Sequence, residues 1–382
     1  MLCAVVILFI LGGALLSVGM HSRALSVRTS SDMAARCAAD SGLTKAVYEM
    51  NEKLKIIPWN GSSLPEAADE ELPNTNAVYS YSVTGDISSG YVVESTGKYG
   101  LREKTVRCSL PLQGLFEYAI FSDTSIILNN SAIVDWYNYD SDDKNMQLGT
   151  NSIIADSVIL MNGVTVNGDI VVGVGGKPDT VIDYTWATIT GNTYAMTKSY
   201  KLPQITAPVW LQSLPSGGTI TNNITLSSPA KYDGINLGNN KVLTIDGTVD
   251  LYITGDILLK NSAELQVVNN DDACLNLFVG GNIEVKNSGA FNNLRADPKR
   301  VKIFGLNSCQ SINLKNGVNF YGVIFAPNAD VVMMNSADFF GSVTAHSFEQ
   351  NNSADFYYDA SLRDVSIDDI GVCYVVTQWQ EE

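Results

Sequence analysis

Histidine is nearly absent: the chain has two, His21 and His346, far apart in the sequence. That excludes a histidine-rich metal site, and it excludes catalysis by paired histidines unless the fold brings these two together. The six cysteines include no CxxC pair, so zinc ribbons and c-type haem attachment lack their signatures. Charge is scarce at 17% of residues, too little for a disordered, highly charged chain. Basic charge is scarcer still, with 24 Lys plus Arg against 40 Asp plus Glu and a net charge of −16. A chain this acidic is repelled by phosphate backbones, which argues against nucleic acid as a partner. What is abundant is apolar surface: 45% of 382 residues are hydrophobic, enough for a sizeable core and more than one domain.

The chain opens with MLCAVVILFILGGALLSVGM, and Arg23 is its first Lys, Arg, Asp or Glu. Such a run matches the roughly 20 residues needed to cross a hydrocarbon core. A secretory signal would start with a basic stretch and end at a small-residue cleavage site. Here the apolar run starts at residue 1, and the simplest account is a processed end at Met1 from which a basic leader has been removed. Met1, Val5, Leu8, Leu11 and Leu15 give the run its apolar surface. Gly12 and Gly13, beside Ala14, let neighbouring helices approach closely. Helical patterning continues to Lys55, and no proline occurs before Pro58. One helix over residues 1–55 is expected, roughly 80 Å long, with Gly42 and the cluster Thr29, Ser30 and Ser31 weakening it locally.

Residues 56–74 hold three prolines and an acidic cluster and read as a loop. The segments AVYSYSVTG, SGYVVESTGKYG and LREKTVRCSLPL alternate apolar and polar positions and suit an antiparallel meander, so 56–116 is linker plus meander. Beyond it the chain repeats. An Asn-Ser/Gly-small triplet marks Asn130, Asn162, Asn261, Asn287, Asn316, Asn335 and Asn352, the last five separated by 26, 29, 19 and 17 residues. Short alternating strands precede most markers, as in DILLKNSA, NIEVKNSG and DVVMMNSA. Coils of short strands and tight turns at this period form a parallel β-solenoid. Asn suits its turns because it tolerates left-handed backbone and can bond up and down a column. The reading is a solenoid over 117–360, interrupted by an insertion at about 174–230, then a C-terminal capping strand in 361–382. The strand VCYVVTQW has two destinations, the meander or the last coil. The fold class is thus mainly β with a long N-terminal α-helix, a small antiparallel meander and a parallel β-solenoid.

Some β-solenoids are carbohydrate-active enzymes, which need carboxylates and a base on neighbouring coils. Asp330, Asp338 and Asp355 flank successive markers, but no basic residue recurs beside them, and the reading is not an enzyme and carries no cofactor. Asp140 and Asp142 alternate like the ligands of a calcium loop. The glycine and distant glutamate of an EF-hand are missing, so a solvated acidic turn is preferred. Trp136, Tyr137 and Tyr139 cluster beside it and suit either glycan or protein contact, or a cap on the first coil. Outside the membrane segment five cysteines remain, an odd number, so at least one is free or bonds between chains. Cys274 with Cys309 would link neighbouring coils, and Cys108 with Cys373 would tie the last strand to the meander.

Together these segments resemble bacterial type IV pilin-like proteins of the pilus-assembly (PilX-like) class with a β-solenoid body. The uncharged opening helix and MAARCAADSGLTKAVYEMNEKL are similar to the family's Ala-rich helix. ESTGKYGLREKTVRCSL resembles its strand pair, FYGVIFAPNADVVMMNSADFFGSVTAHSF its APNA coil, and VVTQWQE its closing segment. The resemblance implies export, cleavage by a prepilin peptidase just before Met1, and packing of the N-terminal helix in a filament core. Most major pilins carry Glu at the fifth mature position, where this chain has Val5, a departure that suits a minor or tip component. The expected function is a structural subunit of an extracellular type IV pilus-like filament. It would sit in the inner membrane before assembly and pair through its helix with copies of itself or other pilins. The alternatives are a tip adhesin with a surface or glycan ligand, or an envelope-anchored carbohydrate-active protein.

Overall fold

The computed structural model describes residues 2–56, 59–129, 131–138, 145–286, 288–315, 318–334, 337–351 and 354–381, with side chains from residue 10 onward. The protein is mainly β with one long N-terminal helix, an antiparallel sheet and a parallel-strand solenoid. It divides into a sheet unit, residues 1–114 with 365–382, and a coil unit, residues 115–364.

In the sheet unit, helix α1 (Leu2–Leu54) is unbroken. Its expected weak points are absorbed locally. Thr29 Oγ1 donates to the Leu25 carbonyl at 3.0 Å and Ser31 Oγ to that of Val27 at 2.9 Å, the i−4 back-bond by which helices tolerate hydroxyls. The sheet follows as β1 (Glu66–Glu71), β2 (Val78–Asp86), β3 (Gly90–Tyr99) and β4 (Arg102–Leu110). Alternation puts Tyr79, Tyr81, Val83, Tyr91, Val93, Val106, Cys108 and Leu110 on one buried face. That face closes on Ala38, Ala39, Leu43, Ala46 and Met50 of α1. Gly97 is required there: a Cβ would run into the Ala35 carbonyl and Ala38. The small residues of both elements therefore set how closely helix and sheet approach.

The C-terminal strand Thr377–Glu381 pairs with β4, Thr377 opposite Ser109, and completes a five-stranded sheet. Just inside it, Cys373–Tyr374 pairs antiparallel with Leu112–Gln113. The tail is thus an edge strand of the meander and not a cap on the coils, because β4 offers it a free edge to pair with, through Thr377, Gln380 and Glu381 with one register shift.

In the coil unit each turn of chain pairs in parallel with the next. Along the stack the order is 219–232, 234–253, 257–279, 283–305, 311–326, 330–345 and 347–359. The ladder then jumps backwards in sequence. Residues 343–350 pair with 120–128 and 356–359 with 134–137, and the stack continues through 147–166 and 169–189 to 193–195. The helical path is continuous although the chain order is permuted, and the coils 120–195 sit on the finish of the coils 219–359.

Both ends of the interrupted region, 182–195 and 219–232, belong to coils. Among the described residues, 197–215 carry no strand pairing, while Met196 and Ser216–Gly218 still bond to neighbouring coils, so the expected insertion at about 174–230 is narrower. This strap travels along the flank. Asn151 brackets Tyr200 with two hydrogen bonds of 3.0 and 3.1 Å, Asn307 Nδ2 donates to Gln204 Oε1 at 3.2 Å, and Lys231 Nζ donates to the Gln212 carbonyl at 2.7 Å.

Candidate functional site

Two features stand out, the half-bare helix and the coil surface. Along α1, the side chains from Ile10 to Val27 are exposed, including Leu11, Leu15, Leu16, Val18, Met20 and Leu25. From Ala35 onward one face of the same helix is buried in the sheet unit. The helix includes a segment apolar enough, by length and composition, to cross a bilayer, with mean hydropathy 1.2 and none of that window buried. Leu11 and Leu15 lie on this bare segment, 55% and 73% exposed, and Gly12 and Gly13 have open space around them. The side chains of Val5 and Leu8, and Met1 altogether, lie outside the described residues. A continuous bare apolar surface of this kind marks a membrane or protein contact.

The second half of α1 is held by polar bonds as well as packing. Lys45 pairs with Glu70, which also accepts from Tyr79 Oη at 2.8 Å, and Tyr81 Oη donates to Glu49 at 2.8 Å. The bond from Lys45, then that from Tyr79, holds the Glu70 carboxyl below its usual range. Burial, then the bond to Glu49, pushes the Tyr81 phenol up. Asn51 closes the helix end against the C-terminal segment, accepting from the Tyr374 N–H at 2.7 Å. The lower helix is thereby clamped, while the side chains from Ile10 to Val27 are exposed.

Of the turn asparagines, Asn130, Asn287, Asn316, Asn335 and Asn352 lie outside the described residues. Asn261 adopts left-handed backbone, φ 54°, and its neighbour Ser262 does so too, φ 60°. At Asn162 it is the following Gly163 that does so, φ 81°. Asn261 Nδ2 donates to Asn239 Oδ1 of the neighbouring coil at 3.4 Å, and a further side-chain ladder between coils runs through residues that the triplet does not mark. Asn319 Oδ1 accepts from Asp338 N at 3.1 Å, Asp338 Oδ1 from Asp355 N at 3.0 Å, and Asp355 Oδ1 from Ile133 N at 2.9 Å. The last of these bonds crosses the permuted seam. The signal was present in the sequence as Asn319-Phe320, Asp338-Phe339 and Asp355-Phe356, with each acceptor one residue before an inward aromatic. Those rings stack, Phe320 on Phe339 at 4.7 Å and Phe339 on Phe356 at 4.6 Å between centroids.

Asp338 and Asp355, weighed above as catalytic carboxylates, are therefore neighbours in space, but each is spent on the backbone of the next coil. Asp330 lies elsewhere, accepting from Ser347 Oγ at 2.6 Å and contacting His346 Nδ1 at 2.9 Å. The Ser347 bond, then His346, holds its carboxyl below the usual range. Asp140 and Asp142 lie outside the described residues. Among the described residues no group of three or more His, Cys, Asp or Glu is placed to hold a metal ion. Trp136 and Tyr137 are half-buried. Tyr137 packs on Phe340 at 5.0 Å and Arg363 sits over the Trp136 ring at 5.2 Å.

The two disulfide pairings do not form: Cys108, Cys274 and Cys309 are thiols. Cys274 begins a strand whose residues Leu275–Val279 lie opposite Val301–Gly305, and Cys309 follows the far end of that partner. The offset, about 16 Å along the strand, far exceeds the roughly 4.4–6.8 Å between Cα atoms of a disulfide. Cys373 lies opposite Gln113, about five residues along the ladder from Cys108. Burial pushes the Cys309 thiol up to about 11 and raises those of Cys108 and Cys274, so all three stay protonated at neutral pH.

A family model described as a domain of unknown function (DUF7305) matches residues 215–365, which is the part of the stack that runs in chain order. A comparison with curated proteins finds no match. Among solved structures the chain is similar to the competence-associated pilin ComZ from Thermus thermophilus. Identity is 14%, coverage is 92% of this chain and 97% of that one, and the TM-score is 0.28. It is also similar to a glycosylated ice-binding protein (LeIBP) from an Arctic yeast, at 14% identity over 63% of this chain and 90% of that one, with a TM-score of 0.34. The DUF3494 domain of an ice-binding protein from Shewanella frigidimarina gives 14% identity, 63% and 92% coverage, and a TM-score of 0.30.

Proposed function

We propose that this chain is a non-enzymatic structural subunit of an extracellular type IV pilus-like filament. The observation that carries the reading is the division of α1. Ile10 to Val27 offer a bare apolar surface, while Ala35 to Leu54 are fixed to a folded sheet. A helix that only anchored a domain would need no rigid continuation into its core. A helix that must carry its domain to a fixed place in an assembly needs that continuation. In the membrane the bare segment is satisfied by lipid. In a filament it is satisfied by other helices, with Gly12 and Gly13 permitting close approach, and the coil unit is displayed outward.

The test is immunogold electron microscopy of filaments sheared from producing cells, with antibody to the coil unit. Label along whole filaments supports a main subunit, and label only at tips supports the minor, adhesive component that Val5 favours. Signal confined to the cell envelope overturns the reading. A charge at Leu11 costs about 2.5–3.5 kcal/mol in an apolar environment, so Leu11→Lys is expected to abolish label on filaments.

A further inference from the structure

The bare segment of α1 ends in two arginines, Arg23 and Arg28, both exposed. In an acidic chain with 24 basic residues against 40 acidic ones, they are conspicuous. Elsewhere in the sheet unit Arg36 meets Asp40 and Glu381 and Arg102 meets Asp32, while Arg107 on β4 is exposed and meets no carboxylate among the described residues. Arg23 and Arg28 meet no carboxylate among the described residues. At 100° per residue they project about 140° apart around the helix, so a helix enclosed by neighbours presents one to each of two sides.

The complementary surface is on the same unit. β1 is the outer edge of the sheet, paired only with β2. Its sequence EAADEE leaves Glu66, Asp69 and Glu71 exposed, while Glu70 is taken by Lys45. Carboxylates on an edge strand also discourage strand-to-strand aggregation, which accounts for charge there but not for the bare arginines. The axial offset between the two surfaces follows from the helix. Lys45 stands at the level of β1, and Arg28 and Arg23 lie about 26 and about 33 Å further toward the N-terminus at 1.5 Å per residue. One chain therefore cannot bring its own surfaces together.

We propose that the bare face of α1 docks on second copies of this chain, with Arg23 and Arg28 meeting the acidic β1 edges of neighbours displaced along the helix axis by about 26–33 Å. The proposal rests on the filament reading. It gives that filament an axial register set by charge at the helix neck, where electrostatic complementarity fixes register and rejects other offsets.

The experiment is a charge swap in the full-length chain in producing cells, read as filament yield by electron microscopy and as membrane-fraction content by immunoblot. Arg23→Glu with Arg28→Glu is expected to cut filaments by about tenfold or more, since like charges now face each other at every contact. Adding Glu66→Lys, Asp69→Lys and Glu71→Lys is expected to restore them to within about threefold. A five-fold variant that fails to restore filaments, while the detergent-solubilised protein keeps the protease resistance of the wild type, overturns the proposal. Unchanged filaments in the arginine variant overturn it also and leave the filament reading intact. So does loss of that variant from the membrane fraction, which would assign the arginines to lipid headgroups. A wild-type chain that never enters filaments overturns both readings together.

Discussion

In the sheet unit Tyr79 and Tyr81 stack on each other at 6.3 Å, but their hydroxyls go to different carboxylates, Glu70 and Glu49, and Tyr91 packs on the rings of Trp59 and Tyr374. In the coil unit Phe320, Phe339 and Phe356 find one another, and Asn319, Asp338 and Asp355 repeat one hydrogen bond from coil to coil. The sheet unit is thus specified by contacts that occur once, and the coil unit by a contact that recurs. A recurrent contact spreads the effect of one loss to both neighbours. A unique contact confines its loss to one place, but nothing else replaces it.

The largest way to sharpen this contrast is Phe339→Ala. The side chain is fully buried between two stacked rings, and its removal is expected to cost about 3–5 kcal/mol. Hydrogen exchange of the full chain in detergent should show faster exchange in 320–326 and 356–359 together, with the sheet unit unchanged. Equal loosening of 91–106 would break the comparison. Gly97→Val attacks the other side. Its branched side chain meets the Ala35 carbonyl and Ala38, with an expected cost of about 1–3 kcal/mol. Exchange should then quicken in β3 and the second half of α1 and leave the coils as they are.

Asp338→Ala removes one rung of the acceptor column and leaves the Asp355 N–H without its partner. The expected loss is about 1 kcal/mol, read as a lower urea midpoint, and Asp338→Asn should recover most of it. The smallest effect is a pH dependence at the β2–β3 turn. Asp86 accepts from the hydroxyl and N–H of Ser88 and the N–H of Ser89. The Ser88 hydroxyl, followed by Ser89, pulls the Asp86 carboxyl down to about 2. Because the folded value lies below the unfolded one, the contribution is complete above about pH 4 and fades as pH falls toward 2. Side-chain carboxyl NMR should show this titration, and an ordinary midpoint for Asp86 would remove the turn from the account.

The repeat was legible in the sequence because inward Leu, Ile, Val and Phe recur with the strands, and the helix because no proline interrupts it before Pro58. The permuted order was not legible. Coil 347–359 presents the same alternation whether 120–137 or a later segment covers it, so periodicity identifies coil-forming segments without identifying their neighbours. The acceptor column was missed for a related reason. The Asn-Ser/Gly triplets are the more visible motif, while the bonding residues precede Phe320, Phe339 and Phe356 and read as ordinary polar turn positions. The cysteine pairings erred on register. Strand order brings Cys274 near the right coil, but only the ladder shows that Cys309 follows the opposite end of its partner strand. At the candidate site, the bare apolar helix was evident from composition, but the clamp through Lys45, Glu70 and Asn51 depends on tertiary pairing.

The chain leaves the sheet unit after Gly114 and re-enters it at Val365, and the strands on either side, Leu112–Gln113 and Cys373–Tyr374, are paired. Tension applied through α1 and the sheet is therefore borne by β4, the C-terminal strand and that short ladder, and the load path closes before the first coil begins. On the filament reading, turns can be added to or removed from the stack without changing the strand pairing that closes the sheet unit.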